Sequence, residues 1–200
     1  IRLGGDRTSS YNWEINASNA GAGFNNSSDG YLSESTEPAG AMLELIRLAA
    51  GSHDAALVTI PMMGRVAGDR AGDVHADDLA RRTLEVRASC PGETMDPADD
   101  HVCTDQLVRH LADHAPEGTP VFFSLDNEPE LWRTTHPLLY GASPLTYDEL
   151  FTRSRAHLDA IRSVSPSARV FGPASFGFPA FGDLLGAPDA DGRDFLSTYV

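Results

Sequence analysis

Four apolar runs, separated by amphipathic or polar stretches, limit what this chain can fold into. "IRLGG" (1–5), "AALVTIP" (55–61), "PVFFSLDNEP" (120–129) and "RVFGPAS" (169–175) read as short strands. The second lacks alternation, which suits a strand covered on both faces. Between the first two, Met42, Leu45, Ile46 and Ala49 recur at helical spacing, and Ser35 or Thr36 can cap that helix, with Pro38 in its first turn and Gly51 at its end. Thr104 opens a second helix with Leu107, Val108, Leu111 and Ala115 inside. Thr146 and Glu149 form a capping-box signature for a third, which should stop at Ser165 because Pro166 restricts its predecessor. Strand, helix, strand, helix, strand, helix, strand is the order of parallel strands joined by helical crossovers.

The long polar stretches 6–35, 64–100 and 127–145 all follow strands. They should therefore rise from one face, at the C-terminal strand ends where such folds keep their sites. The middle stretch is expected to be a loop with a short helix near Asp77 to Arg82. No internal repeat or linker divides the 200 residues, so one domain is expected. The chain opens inside an apolar run and closes on "DFLSTYV", so it reads as a piece of a longer protein.

The net charge is −14 and all 15 basic residues are arginine. That acidity argues against nucleic acid as a partner, since phosphates need a basic surface. No apolar run approaches the ~20 residues of a membrane span, so no membrane partner is expected. Cys90 and Cys103 bracket a polar segment and are either a disulfide, which would suit a secreted protein, or two free thiols.

The third strand ends in "DNEPELW". Glu128 there can act as a general acid if apolar surroundings raise its pKa, and Asn127 can exchange hydrogen bonds with a sugar hydroxyl. Trp132, Trp13, Tyr11 and Phe24 can offer flat faces to sugar rings, although Trp13 can equally anchor its loop in the core. Asp126 reads as a residue that orients its neighbours, Glu130 as a solvated one. Arg2 reads as the partner of some carboxylate at the strand ends.

"RLGGDRTSSYNWEINASNAG", "LDNEPELW" followed by "THP", and "FGPASFGF" together resemble the catalytic domain of glycoside hydrolase family 44. The resemblance implies a (β/α)8 TIM barrel, of which residues 1–200 cover about strands 2 to 5. It further implies a secreted, retaining, endo-acting enzyme on β-1,4-glucan, including cellulose derivatives and xyloglucan. Glu128 matches the acid/base glutamate, Asn127 the substrate-contacting asparagine before it, and Trp132 the aromatic that follows. Asp6 stands where the family usually has an asparagine, and Phe24 about where it often has tryptophan. The nucleophile would lie beyond Val200, and the 200-residue segment alone is expected to be inactive.

No cofactor is required by this reading. The resemblance allows a structural calcium ion, for which Asp99 and Asp100 occupy a suitable polar loop, without the spacing of a twelve-residue calcium loop. His101, Cys103, His110 and His114 raise a zinc site as a rival. No Glu follows His110, however, and a solvated helix face explains the pair His110 and His114 equally well, so no metal ligands are assigned. The other alternative is a non-catalytic carbohydrate-binding protein on the same fold.

Overall fold

The computed structural model describes residues 1–92 and 94–200. Its centre is a parallel sheet of β3 (Ala56–Ile60), β7 (Val121–Leu125) and β8 (Val170–Phe171), in the spatial order β3-β7-β8. Ala56 pairs with Val121 and Ile60 with Leu125, and Phe123 pairs with Val170. The opening segment joins the outer edge of β3 in parallel, as a bridge from Arg2 to Leu57 rather than a full strand. Paired glycines at 4 and 5 end it early.

The crossovers are the expected helices. α1 (Gly40–Ser52) packs on β3, and α3 (Thr104–His114) and α6 (Tyr147–Val164) pack on each other, with α6 against β7. Thr146 caps α6 by accepting from the Glu149 N–H at 3.0 Å, and the helix gives way at Ser165, before Pro166, as the sequence requires. The start of α1 differs from expectation. Ala39 sits in the left-handed region, and the first turn is capped by Asn16, whose Oδ1 accepts from the Ala41 N–H at 3.0 Å. The cap comes from a loop 25 residues upstream, out of reach of local pattern reading.

One sheet face is sealed by these helices: Val58, Ile60, Phe123 and Leu125 are buried. The opposite face carries Leu57 and Phe122, both half-buried, and Phe171, 49% exposed, with the two phenyl rings 6.0 Å apart. The expected coverage on both faces is therefore met on one face only within this chain.

The stretch 64–100 is more structured than a loop. β4 (Arg65–Ala67) pairs antiparallel with β5 (Thr83–Arg87), and β5 pairs in parallel with β6 (His101–Cys103). The short α2 (Leu79–Arg82) falls inside the range read for it. β1 (Ser18–Asn19) and β2 (Ser28–Asp29) form a small antiparallel pair within the first polar stretch. The remaining helices are single turns: α4 (Trp132–Thr135), α5 (Pro137–Tyr140), α7 (Ala180–Asp183) and α8 (Phe195–Tyr199). None of the helices among the described residues is long and apolar enough to cross a membrane.

Cys90 and Cys103 form a disulfide with Cα atoms 6.0 Å apart, tying the loop after β5 to the end of β6. Cross-linking residues 13 apart removes chain entropy from the unfolded state worth about 3 kcal/mol. Replacing both cysteines with serine in the full-length protein should lower its unfolding free energy by about that amount. Denaturant titration of the two forms checks this, and equal midpoints would contradict it.

Candidate active site

At the end of β7 the backbone turns sharply. Asp126 (φ 72°) and Glu128 (φ 47°) both occupy the left-handed region, costly for a residue with a Cβ and common where geometry serves a site. Hydrogen bonds hold the turn. Asp126 is wholly buried; its carboxylate accepts from the Met62 N–H after β3, from the Ser9 hydroxyl, and from the Asn127 N–H at 2.7 Å. Burial pushes its pKa up to about 6, against those three donors. The Glu128 N–H donates to the Ala174 carbonyl at 2.7 Å, clamping the turn to the loop after β8.

Asn127 is buried with its Oδ1 fully used: it accepts from Arg2 Nη2 at 2.5 Å and from the Gly5 N–H at 3.0 Å. Its Nδ2 is buried without a partner, a donor left free for another molecule. Arg2 thus binds an amide oxygen rather than the carboxylate expected, although its charge lies close enough to Glu128 to favour the ionised form slightly.

Glu128 is half-buried on the rim above the strand ends. Its pKa is raised, first by burial, then by the charge of Asp6, whose carboxyl is within hydrogen-bonding contact, and by Glu130. Asp6 is exposed and opens a single 3-10 turn, Asp6–Ser10. Glu130 is not solvated as the sequence suggested. It is 4% exposed, accepts from the Phe176 N–H at 2.7 Å, and burial raises its pKa.

Asp6, Asn127 and Glu128 are therefore brought together. Phe24, 72% exposed, stands near them, lining a cavity of about 520 Å³ whose wall includes Gly5 and Asp6. The two tryptophans are not part of this surface. Trp132 is 1% exposed and packs against Tyr140 with ring centroids 5.3 Å apart; Trp13 is 1% exposed beside His110. Neither has an open face for a sugar, because both rings fill the core under the loops they were expected to project from. Tyr11 is likewise buried, its hydroxyl donating to Asn16.

The "THP" segment has a scaffolding role. His136 is fully buried, and its Nε2 meets the Asn19 carbonyl at 3.1 Å, which fixes the proton on that nitrogen. The loop approaches so closely here that a Cβ on Gly21 (φ +71°) would lie 2.2 Å from the Thr135 carbonyl oxygen.

Of the zinc candidates, Cys103 is bonded to Cys90. His110 and His114 stack on each other at 4.1 Å, His110 reaching the Pro38 carbonyl and His114 the His110 carbonyl. Among the described residues the one tight cluster of possible ligands is Cys90, His101 and Cys103, and its two sulfurs are joined to each other.

A different group was missed by sequence reading. Glu14 is 3% exposed, and neither carboxylate oxygen has a hydrogen-bond partner. Burial, then the charge of Asp99, pushes its pKa up to about 7, with His101 opposing and Asp96 adding. Asp100, by contrast, points outward, its side chain 87% exposed beside His101 and Arg87. Glu14, Asp96 and Asp99 carry hard oxygen donors, but their ligand atoms do not converge on one point as those of Cys90, His101 and Cys103 do. Nothing in "NWEIN" marks Glu14 as buried.

The C-terminal rim of the parallel sheet thus carries a clamped glutamate with a raised pKa beside an amide whose Nδ2 has no partner. The comparisons fix the family. The family model "Glycoside hydrolase family 44" matches residues 9–200, and the chain belongs to that family. It is 33% identical, over its whole length, to "Beta-mannanase/endoglucanase A" of Caldicellulosiruptor saccharolyticus, and 32% identical over 94% of its length to "Endoglucanase A" of Paenibacillus lautus. The chain spans 16% and 29% of those two proteins. Among solved structures, a family 44 xyloglucanase from Paenibacillus polymyxa superposes with a TM-score of 0.91 at 32% identity. A family 44 endoglucanase from Clostridium thermocellum does so with a TM-score of 0.91 at 33%. Each match covers 99% of this chain and 43% of the solved one.

Proposed function

We propose that residues 1–200 form the acid/base part of a retaining, endo-acting glycoside hydrolase on β-1,4-glucan, including cellulose derivatives and xyloglucan. The fold proposed for the complete enzyme is a (β/α)8 barrel, with the opening segment, β3, β7 and β8 as strands two to five. The half-covered sheet face with Leu57, Phe122 and Phe171 is what a closed barrel would fill with side chains from its other strands. Secretion is proposed on the same footing, and the Cys90–Cys103 disulfide supports it.

The observation that carries the reading is Glu128: a half-buried carboxyl with a raised pKa, held at a strand end by a left-handed turn, next to an amide with an unspent donor. Glu128 protonates the glycosidic oxygen as the leaving sugar departs, and its carboxylate then takes a proton from the incoming water. Asn127 Nδ2 donates to a hydroxyl of the sugar at the cleaved bond. The covalent intermediate needs a second carboxylate about 5 to 5.5 Å from the first. Asp6 lies in hydrogen-bonding contact with Glu128, too close to leave room for the reacting carbon, and Glu130 is buried on Phe176. The nucleophile is therefore proposed to come from outside these residues, which alone would not turn over glucan. The rival reading, carbohydrate binding without catalysis, rests on Asp6 in place of an amide.

Calcium is proposed as a structural ion that would draw together Glu14, Asp96 and Asp99, whose charges act on one another although their oxygens do not converge on one point here. It would neutralise their mutual repulsion and pin the loop that the disulfide closes.

Three outcomes follow. In the full-length protein, Glu128→Gln should cut kcat on a soluble β-glucan by about 10²–10⁴-fold while glucan binding stays measurable. Retained activity would remove Glu128 from its role, and a wild type that binds glucan without hydrolysing it would favour the rival. The general acid works only while protonated, so its raised pKa carries activity to higher pH than an ordinary carboxyl allows. Asp6→Asn removes a negative neighbour, lowers the Glu128 pKa, and should move the high-pH limb of kcat/KM downward. A limb that stays put or rises would contradict the coupling. Finally, a chelator should lower the melting temperature of the wild type, and added calcium restore it; Glu14→Gln should be insensitive to both. A wild type indifferent to chelation would eliminate the ion.

A further inference from the structure

The disulfide hides a second use for the residues around it. His101 and Cys103 stand two apart on β6, so the pleat turns both side chains to one face of the strand. Cys90 reaches that face from the loop after β5. The ligand atoms of the three residues lie within 4.8 Å of one another. All three residues are buried: His101 is 8% exposed, Cys103 1% and Cys90 4%.

The cross-link is not the only restraint that brings Cys90 there. The Cys90 N–H donates to both carboxylate oxygens of Asp105 at 3.2 Å, and the Ser89 hydroxyl donates to Asp105 Oδ2 at 2.7 Å. Asp105 in turn donates its own N–H to the Ala88 carbonyl at 3.2 Å. On the other side, Val102 and Cys103 are held in register against Val86 and Arg87 of β5. Opening the S–S bond therefore leaves both cysteines anchored. His101 is oriented as well, its Nδ1 meeting Asp100 Oδ1 at 3.0 Å; a carboxylate on one ring nitrogen is the usual support of a ligating imidazole.

Two thiolates and an imidazole select a cation of the zinc type, whereas calcium and magnesium take oxygen ligands. With Zn–S about 2.3 Å and Zn–N about 2.0 Å, a tetrahedral ion sets its ligand atoms about 3.5–3.8 Å apart. Freed sulfurs reach that spacing by rotation about their Cα–Cβ bonds, with the backbone in place.

We propose that reduction of the Cys90–Cys103 disulfide uncovers a zinc site formed by Cys90, His101 and Cys103, with water as the fourth ligand. One cluster then staples the loop in oxidising and in reducing surroundings alike. A dithiol supplies the two electrons: the S–S bond breaks, the reductant leaves as its own disulfide, and its two protons pass to the cysteine sulfurs. Zn²⁺ binds those sulfurs as thiolates, and the two protons go to water. The ion replaces the restraint on the unfolded chain that the cross-link supplied. None of the three residues lines the cavity beside Asp6, so the site does not depend on the glucanase reading.

The test uses the full-length protein, oxidised or reduced with a water-soluble phosphine, which adds no thiol of its own. Co²⁺ serves as the spectroscopic probe and Zn²⁺ as its competitor. The reduced wild type should show a near-ultraviolet sulfur-to-cobalt charge-transfer band that Zn²⁺ abolishes, and the oxidised wild type should lack it. A cation held by Glu14, Asp96 and Asp99 has no sulfur ligand and gives no such band. His101→Asn keeps the disulfide and should weaken Zn²⁺ binding by the reduced protein about tenfold or more. Cys90→Ser combined with Cys103→Ser should lose the band, which separates this site from cysteines elsewhere in the protein. Zn²⁺ should also raise the melting temperature of the reduced wild type and leave that of the double variant unchanged. A reduced wild type without the band overturns the site, as does a band that survives in the double variant or an affinity that His101→Asn does not change. A reduced chain that unfolds and is not refolded by Zn²⁺ overturns it too.

Discussion

The site depends on where the buried carboxylate of Asp126 sends its hydrogen bonds. It takes one from the backbone after β3, one from Ser9 and one from its own neighbour. Three segments far apart in sequence are thus tied at one point below the rim. Two left-handed residues within three positions cost roughly 1–3 kcal/mol each, and this knot, with the clamp from Glu128 to Ala174, holds them. The reward is directional: Asn127 faces Arg2 and Gly5, while Glu128 is turned up to the rim. A plain turn would leave both side chains on rotating stems.

Local environments sort the carboxyls of this region into different tasks. Asp126 and Glu130 are buried and bonded to backbone N–H groups, so they brace the loops after β3 and β8. Glu128 is half-buried and in contact with Asp6, which lines the cavity, so it is left accessible where the other two are covered. Similar residues within five positions thus differ by what covers them, a division that burial and hydrogen bonding impose.

This division also shows how far the sequence could be read. The parallel alternation, the Thr146 cap, the stop at Ser165 and the placing of Glu128 at a strand end all follow from local pattern, and local pattern is what a sequence displays. The sheet of β4, β5 and β6 was read as a polar loop because two of its strands have three residues and "TLEVR" alternates with charges on its outer face. The tryptophans were misplaced because an aromatic after a site motif fits a platform and a core plug equally well; only the packing of Tyr140 and His110 against them decides. Glu14 and Glu130 gave no sign, since burial of a carboxylate depends on partners brought by the fold. Arg2 and Asn127, 125 residues apart, are the extreme case.

The replacement of the family's usual amide by Asp6 shows how the pieces act together. An amide there would donate to Glu128 and favour its ionised form. An ionised carboxylate cannot donate, and its charge adds to that of Glu128, with the nearby Arg2 acting in the other direction as the smallest influence. Water shields such a pair poorly on a half-buried rim. A negative neighbour so close disfavours the ionised form of Glu128 and raises its pKa, after the larger effect of burial. A change that seems to put a charge in the wrong place therefore acts on Glu128 in the same direction as burial.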